Sequence, residues 1–329
     1  MNMNTLRRIS WLLLECFLLS ACGNVSEANP SAKAEQSRVP GEDDPAAAVA
    51  LKQEAEALPA DAAVPFSATT VASGELVESS EEAVIDYSNT EDGYVMVCYT
   101  AETENRLKAQ VKGPNTTYTY NLTAGQWAAF PLSDENGTYQ VTVYKNVVDS
   151  KYAAVLSLTI EVILEDEFAP FLHSNQYVNY DDAPDTVAAA GALCRGLDTV
   201  GMVTAVYDFV VGGMTYDTQL AETVTSGYLP VLDDVLERMS GICFDYAALM
   251  TGMLRSQGVP CKLVVGYAGD VYHAWISVWS ETTGWINGVI FFDGVSWQRM
   301  DPTFASNAED ASIFAFIGNG DNYYAKYFY

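Results

Sequence analysis

A chain of 329 residues is longer than one hydrophobic core usually supports, so two folded domains with flanking segments are expected. The net charge of −27 excludes nucleic acid as a partner, because binding phosphates requires clustered Lys and Arg side chains. The same charge excludes electrostatic attraction to an anionic membrane surface. Any attachment to a membrane is therefore expected to come from a lipid.

The first predicted element, residues 1–22, has the pattern of an export signal. Arg7 and Arg8 precede an apolar run that is short and interrupted by Glu15, so it is not expected to be a permanent membrane-spanning helix. The run ends in Leu-Ser-Ala-Cys, which resembles a bacterial lipoprotein box. The resemblance implies cleavage before Cys22, lipid on its thiol, and a location on the extracellular face of the cell membrane. An ordinary cleaved signal followed by a free cysteine is the alternative.

Two further segments follow the signal. Residues 23–79 are rich in Ala, Glu, Pro and Ser and poor in aromatic residues, which predicts a disordered acidic tether. Residues 80–165 contain short runs of alternating apolar and polar residues, separated by turn signals such as Asn136-Gly137. This pattern predicts a small all-β sandwich domain.

Residues 166–329 are predicted to form an α+β domain, with helices packed on an antiparallel sheet. Apolar residues at three- and four-residue spacing predict helices over 187–197, 202–211, 232–239 and 243–257. Strand-like runs follow at 262–268, 272–279, 289–294 and 297–301.

Cysteine is the first candidate for chemistry. Three of the six cysteines lie in strand-like or Ala-rich helical sequence and are expected to be buried: Cys98, Cys194 and Cys261. Cys243 differs because it begins a predicted helix, where unpaired N–H groups and the helix dipole stabilise a thiolate. Taken alone, such a cysteine is more often packing than a nucleophile. Asp245, in the same first turn, is expected to cap backbone N–H groups.

A nucleophilic cysteine needs a base, and the chain has two histidines. His173 lies in a loop-like stretch, whereas His273 lies in a strand-like run that can present it rigidly. Asp301, at the end of the last predicted strand, is the candidate to orient the imidazole. Two further residues are cleft candidates. Trp275 shares a strand face with His273, with core packing as an equal alternative, and Tyr216 lies in a predicted turn.

Three segments in this order, GICFDYAALMTGMLRSQGVPCKLVVGY, YHAWISVW and MDPTF, resemble the transglutaminase-like superfamily, whose core is papain-related. The resemblance covers roughly residues 187–304 and extends to bacterial surface lipoproteins with a β domain before this core. It implies Cys243 as the nucleophile, His273 as the base and Asp301 as the orienting acid. It also implies a thioester, resolved by water in a peptidase or amidase, or by an amine in an acyltransferase.

The leading hypothesis is a membrane-anchored cysteine enzyme acting on amide bonds of extracellular or cell-wall peptides or proteins. No calcium loop and no close pair of metal ligands is recognisable in the sequence, so no cofactor and no metal are expected. Two alternatives stay open: a non-catalytic surface binding module that uses the core as a scaffold, and a purely structural lipoprotein. The three triad residues favour the enzyme, since a scaffold places no demand on a histidine facing a cysteine.

Overall fold

The structure is a computed structural model, and it describes residues 69–280, 284–287, 289–292, 297–300, 303 and 322–329. The predicted export signal, including Cys22, and the tether up to residue 68 lie outside the described residues, as does Asp301. Within the described ranges, no helix is both long enough and apolar enough to cross a membrane.

Eight strands form the first part of the described chain, and they pair antiparallel into two sheets of four. They are β1 (Val77–Ser79), β2 (Ala83–Asp86), β3 (Tyr94–Tyr99), β4 (Leu107–Lys112), β5 (Thr117–Leu122), β6 (Trp127–Pro131), β7 (Gly137–Val148) and β8 (Lys151–Val162). The sheet orders are β1-β2-β3-β6 and β5-β4-β7-β8. In β5 the side chains of Tyr118 and Tyr120 are buried while their neighbours Thr117 and Thr119 are exposed. The predicted all-β sandwich is confirmed.

The chain is ordered earlier than the sequence predicts. The strand β1 pairs antiparallel with β2, and the Thr70 backbone N–H donates to Asp181 Oδ2 at 3.1 Å. The prediction of a disordered tether is therefore wrong for residues 69–79. All three residues of β1 are exposed, so backbone pairing holds this stretch and its polar composition gave no signal of it.

The second part of the described chain combines helices with further strands. The helices are α1 (Pro184–Leu193), α2 (Thr199–Gly213), α3 (Thr218–Thr223), α4 (Leu232–Arg238) and α5 (Cys243–Arg255), preceded by a 3₁₀ turn at Ala169–Phe171. The strands are β9 (Thr215–Tyr216), β10 (Ser240–Gly241), β11 (Cys261–Ala268), β12 (Val271–Ser280), β13 (Gly284–Asn287), β14 (Val289–Phe292), β15 (Trp297–Met300) and β16 (Tyr323–Phe328).

An antiparallel sheet of order β13-β12-β11-β16 is the platform of this part, and α5 packs on β11 and β12. The strands β14 and β15 form a separate hairpin, and β9 and β10 form a two-residue parallel pair. The predicted α+β arrangement, with helices on an antiparallel sheet, is confirmed.

Arg255 fixes the end of α5. Its side chain is fully buried and donates to three backbone carbonyls, those of Cys261 at 2.8 Å, His173 at 2.7 Å and Tyr329 at 2.6 Å. Burial lowers the pKa of Arg255 to about 10, so the guanidinium stays protonated at neutral pH. One cation therefore joins the helix to β11, to the loop before α1 and to the residue that follows β16.

Tyrosine rings connect the sandwich to the second part. Tyr118 and Tyr120 of β5 pack edge-on against Tyr329, with ring centroids 5.7 and 6.0 Å apart. Ser133 Oγ also donates to the Phe328 carbonyl at 2.7 Å. These contacts make one continuous buried core across residue 165, where the sequence predicts a domain boundary. The division into two domains there stays a prediction.

Candidate active site

Cys243 is the most exposed of the described cysteines. It is half-buried at the first position of α5, whereas Cys98, Cys194 and Cys261 are buried and, like Cys243, free of disulfides. Burial raises the pKa of all three buried thiols, to about 11 for Cys194 and Cys261. The predicted burial of these three is confirmed, and they are poorly suited to act as nucleophiles.

A buried carboxylate stabilises the turn that carries Cys243. Asp245 Oδ2 accepts from the Ile242 backbone N–H at 2.8 Å, which confirms the predicted capping role. Its Oδ1 accepts from Tyr228 Oη at 2.6 Å and from Arg238 Nη2 at 3.0 Å. Burial raises the pKa of Asp245, and these three donors oppose that rise. Gly241 leaves room for the carboxylate, because a Cβ there would lie 2.5 Å from the Asp245 Cβ.

His273 lies on β12 opposite Gly266 of β11, and only 4% of its surface is exposed. The Trp275 ring stacks beside it on the same strand face, with centroids 6.3 Å apart. A Cβ on Gly266 would approach the Tyr324 carbonyl oxygen to 2.1 Å and the Trp275 indole to 2.9 Å. Glycine at position 266 therefore allows β16 and the Trp275 indole to pack closely against β11, the strand next to the one that carries His273.

Cys243 and His273 line the same cavity, which has a volume of about 140 Å³. We call it the catalytic cleft, after the role that we propose for it. Its walls are mainly apolar, and five aromatic side chains contribute to them: Tyr177, Tyr228, Phe244, Tyr272 and Tyr329. Burial raises the pKa of Tyr177 to about 12, so this phenol is neutral at physiological pH. An apolar wall excludes water and strengthens charge interactions between the groups it encloses.

The two predicted cleft residues do not line this cleft. Trp275 is 2% exposed and packs edge-on against Tyr323 at 5.1 Å, which favours its core-packing alternative. Tyr216 lies in β9, paired with Gly241, and not in a turn. Burial raises the pKa of Tyr216, and the nearby Cys243 adds to the rise. Tyr216 therefore lies beside the turn that carries Cys243.

The aromatic walls of the cleft were not predicted from the sequence. Tyr177 lies in the loop before α1, Tyr228 in the loop before α4, and Tyr329 after β16. No periodicity marks residues in loops, so only their meeting in space identifies them. Among the described residues, no group of three His, Cys, Asp or Glu side chains could hold a metal ion.

Residues 189–302 match the family model of the transglutaminase-like superfamily. The match spans Cys243, His273 and Asp301 and covers the helices and strands that build the cleft. This part of the chain is a transglutaminase-like domain.

Individual relatives are more distant. A protein-glutamine gamma-glutamyltransferase of Pseudomonas aeruginosa is 32% identical over 71 residues, which is 17% of this chain and 11% of that protein. The chain thus matches only a small part of this curated relative's length.

Two solved structures are also similar. The periplasmic domain of TgpA from Pseudomonas aeruginosa, bound to ethylmercury, has a TM-score of 0.31 and 18% identity, covering 70% of this chain and 75% of that chain. Red sea bream transglutaminase has a TM-score of 0.27 and 13% identity, covering 68% and 53%. Because both TM-scores are below 0.5, these structures add no argument to the domain match.

Proposed function

We propose that the protein is a cysteine enzyme that attacks amide bonds of peptides or proteins through a thioester on Cys243. The observation that carries this proposal is that Cys243, at the start of α5, and His273, on β12, line one apolar cleft. The transglutaminase-like domain match supports the same assignment because it also spans Asp301. In this proposal Asp301 orients the His273 imidazole.

The reaction has two halves. The Cys243 thiolate adds to the amide carbonyl carbon, the C–N bond breaks, and the His273 imidazolium protonates the departing amine. Water or a second amine then attacks the thioester, neutral His273 accepts the attacking group's proton, and the Cys243 thiolate is released. The backbone N–H of Cys243 is one donor to the oxyanion, because amides in the first turn of a helix have no partner within the helix.

The test is incubation of the protein with peptides that contain glutamine or lysine, followed by mass spectrometry. Wild-type protein is expected to form lysine–glutamine crosslinks with loss of ammonia, convert glutamine to glutamate, or cleave the peptide backbone. These products separate amine transfer from amidase and peptidase activity. Cys243→Ala is expected to lose every product, because it removes the only atom that forms the thioester.

Cys194→Ala is the matched control, because it also removes a free thiol but one that is buried away from the cleft. It is expected to retain wild-type product yields. Product formation by Cys243→Ala would contradict the proposal. Absence of any product with the wild-type protein would instead favour the binding module.

We further infer that the protein is exported and anchored to a membrane by lipid on Cys22. The basic start, the short apolar run and the Leu-Ser-Ala-Cys sequence support this inference. The expected result is a mature N-terminal peptide that begins at Cys22 and carries acyl chains, detected by mass spectrometry of the membrane fraction. A mature protein with an unmodified Cys22 thiol would contradict it.

A further inference from the structure

A second cavity, of about 510 Å³, lies between the first sheet of the sandwich and the loops that precede α1 and α4. We call it the polar cavity. Its volume falls within the range of roughly 300–1,000 Å³ that is usual for small-molecule sites. Most of its polar lining is neutral, with amide and hydroxyl side chains on both walls. Asp181 and Asp182 are the charged residues, and none of the described lining residues is a cation.

An indole offers a flat apolar surface in this site, whose lining combines polar with apolar side chains. Trp127, on β6, lines the polar cavity with 46% of its surface exposed. Because this indole borders a cavity, it gives a bound ligand a flat apolar surface to cover. The ring of a sugar presents C–H groups on one face, and these pack well against an aromatic ring.

Asn175 supplies a fixed hydrogen-bond donor. Its Oδ1 accepts from the backbone N–H groups of Tyr177 at 2.9 Å and Val178 at 3.2 Å, which sets the orientation of the amide. The Nδ2 group is thereby directed away from the backbone, and it is buried without a hydrogen-bond partner among the described residues. Gln176 Nε2 is likewise buried without a hydrogen-bond partner among the described residues. A buried donor without a partner is costly, so acceptor atoms on a bound ligand would stabilise both amides.

Acceptors lie on the same side of the site. Asp181 Oδ2 accepts from the Thr70 N–H at 3.1 Å, and Asp182 Oδ2 accepts from Asn179 Nδ2 at 2.9 Å. Each carboxylate has further lone pairs for a ligand's donors. The site therefore combines fixed donors with acceptors, as the hydroxyl groups of a sugar require.

We propose that the polar cavity binds a neutral carbohydrate, which stacks on Trp127 and receives hydrogen bonds from the amides of Asn175 and Gln176. The carboxylates disfavour phosphates and acidic ligands. A lysine-rich peptide is the competing ligand class. It is the weaker fit because each ammonium group is only a donor, so that acceptors for the two amides would have to come from the peptide backbone alone.

The polar cavity adjoins the catalytic cleft. Along the loop before α4, Tyr228 lines the cleft and the next residue, Leu229, lines the polar cavity. In the loop before α1, Tyr177 lines the cleft and Gln176 lines the polar cavity. A carbohydrate would therefore be held beside the nucleophile, although its binding does not depend on the chemistry of Cys243.

The test is calorimetric titration of the full chain with two neutral trisaccharides, tri-N-acetylchitotriose and cellotriose, which differ in their acetamido groups. At least one is expected to bind, and Trp127→Ala is expected to weaken that binding about tenfold or more. Tyr324→Ala is the matched control, because Tyr324 is an aromatic residue that is 69% exposed and does not line the polar cavity. It is expected to bind as the wild type does.

A second variant tests the donor. Asn175→Asp keeps an oxygen that accepts from the two backbone N–H groups but removes the amide donor. It is therefore also expected to weaken binding. Circular dichroism checks that the variant folds.

Cys243→Ala is expected to bind the sugar unchanged, which separates this proposal from the proposed function. Absence of binding by both sugars at millimolar concentration would overturn the proposal. Unchanged binding by Trp127→Ala, or tighter Trp127-dependent binding of a lysine-rich peptide, would overturn it as well.

Discussion

Iodoacetamide is expected to alkylate Cys243 of the wild-type protein faster than Cys243 of His273→Ala, with the largest difference at acidic pH. In the proposed triad the His273 imidazolium stabilises the thiolate, which is the reactive form of the thiol, and the replacement removes that partner. Alkylation rates measured from about pH 6 to about pH 8 give a profile for each protein. At the acidic end the two proteins are expected to differ by about tenfold or more.

The second histidine provides the control for this experiment. His173 does not line the catalytic cleft, and His173→Ala is expected to keep the wild-type profile. Burial raises the pKa of the thiols of Cys194 and Cys261, so these should not react near neutrality. Peptide mapping assigns the label to Cys243 and separates it from cysteines outside the described residues. A His273→Ala profile that superimposes on the wild type would show that the triad assignment is wrong.

Replacement of Arg255 by Met is expected to lower the free energy of unfolding by about 3 kcal/mol or more. Methionine fills much of the volume but donates nothing, so the carbonyls of Cys261, His173 and Tyr329 each lose a charged donor. Because these carbonyls belong to three separate segments, the end of α5 should loosen from all of them together. Urea denaturation measures the effect.

Two further variants define the role of Arg255. Arg195→Met removes an exposed arginine and is expected to stay within about 0.5 kcal/mol of the wild type. Arg255→Lys keeps the charge but not the planar fork of donors, so an intermediate loss is expected. If Arg255→Met unfolds at the wild-type urea concentration, the three hydrogen bonds do not hold the helix end.

Strong local patterns in the sequence predicted the elements that carry the site. The predicted helix at 243–257 corresponds to α5, Cys243–Arg255, because its apolar spacing is regular and a Gly and a Pro follow its end. The strand predicted at 272–279 corresponds to β12, Val271–Ser280. Both elements are long enough for a regular spacing of apolar residues to be a clear signal of structure.

Short and non-local elements were not predicted. The helix α3, Thr218–Thr223, has six residues, and its visible local support is an Asp217 cap on the Leu220 N–H. Such a short helix is marginal without tertiary contacts. The strand β16, Tyr323–Phe328, pairs with β11 far back along the chain, and no local pattern encodes that partner.

The sequence by itself determined which residues are the candidates for chemistry. A cysteine at a helix start, a histidine in a strand and the order of three motifs are local features, and helix periodicity and strand alternation are local as well. Only the tertiary structure decided what surrounds those residues. In the tertiary structure Cys243 and His273 line one cleft, and tyrosines from three distant segments form part of its walls. The side chain of Trp275 is buried in the core. The physical reason is that the walls of a cleft are set by packing between segments far apart in the chain, which no local pattern specifies.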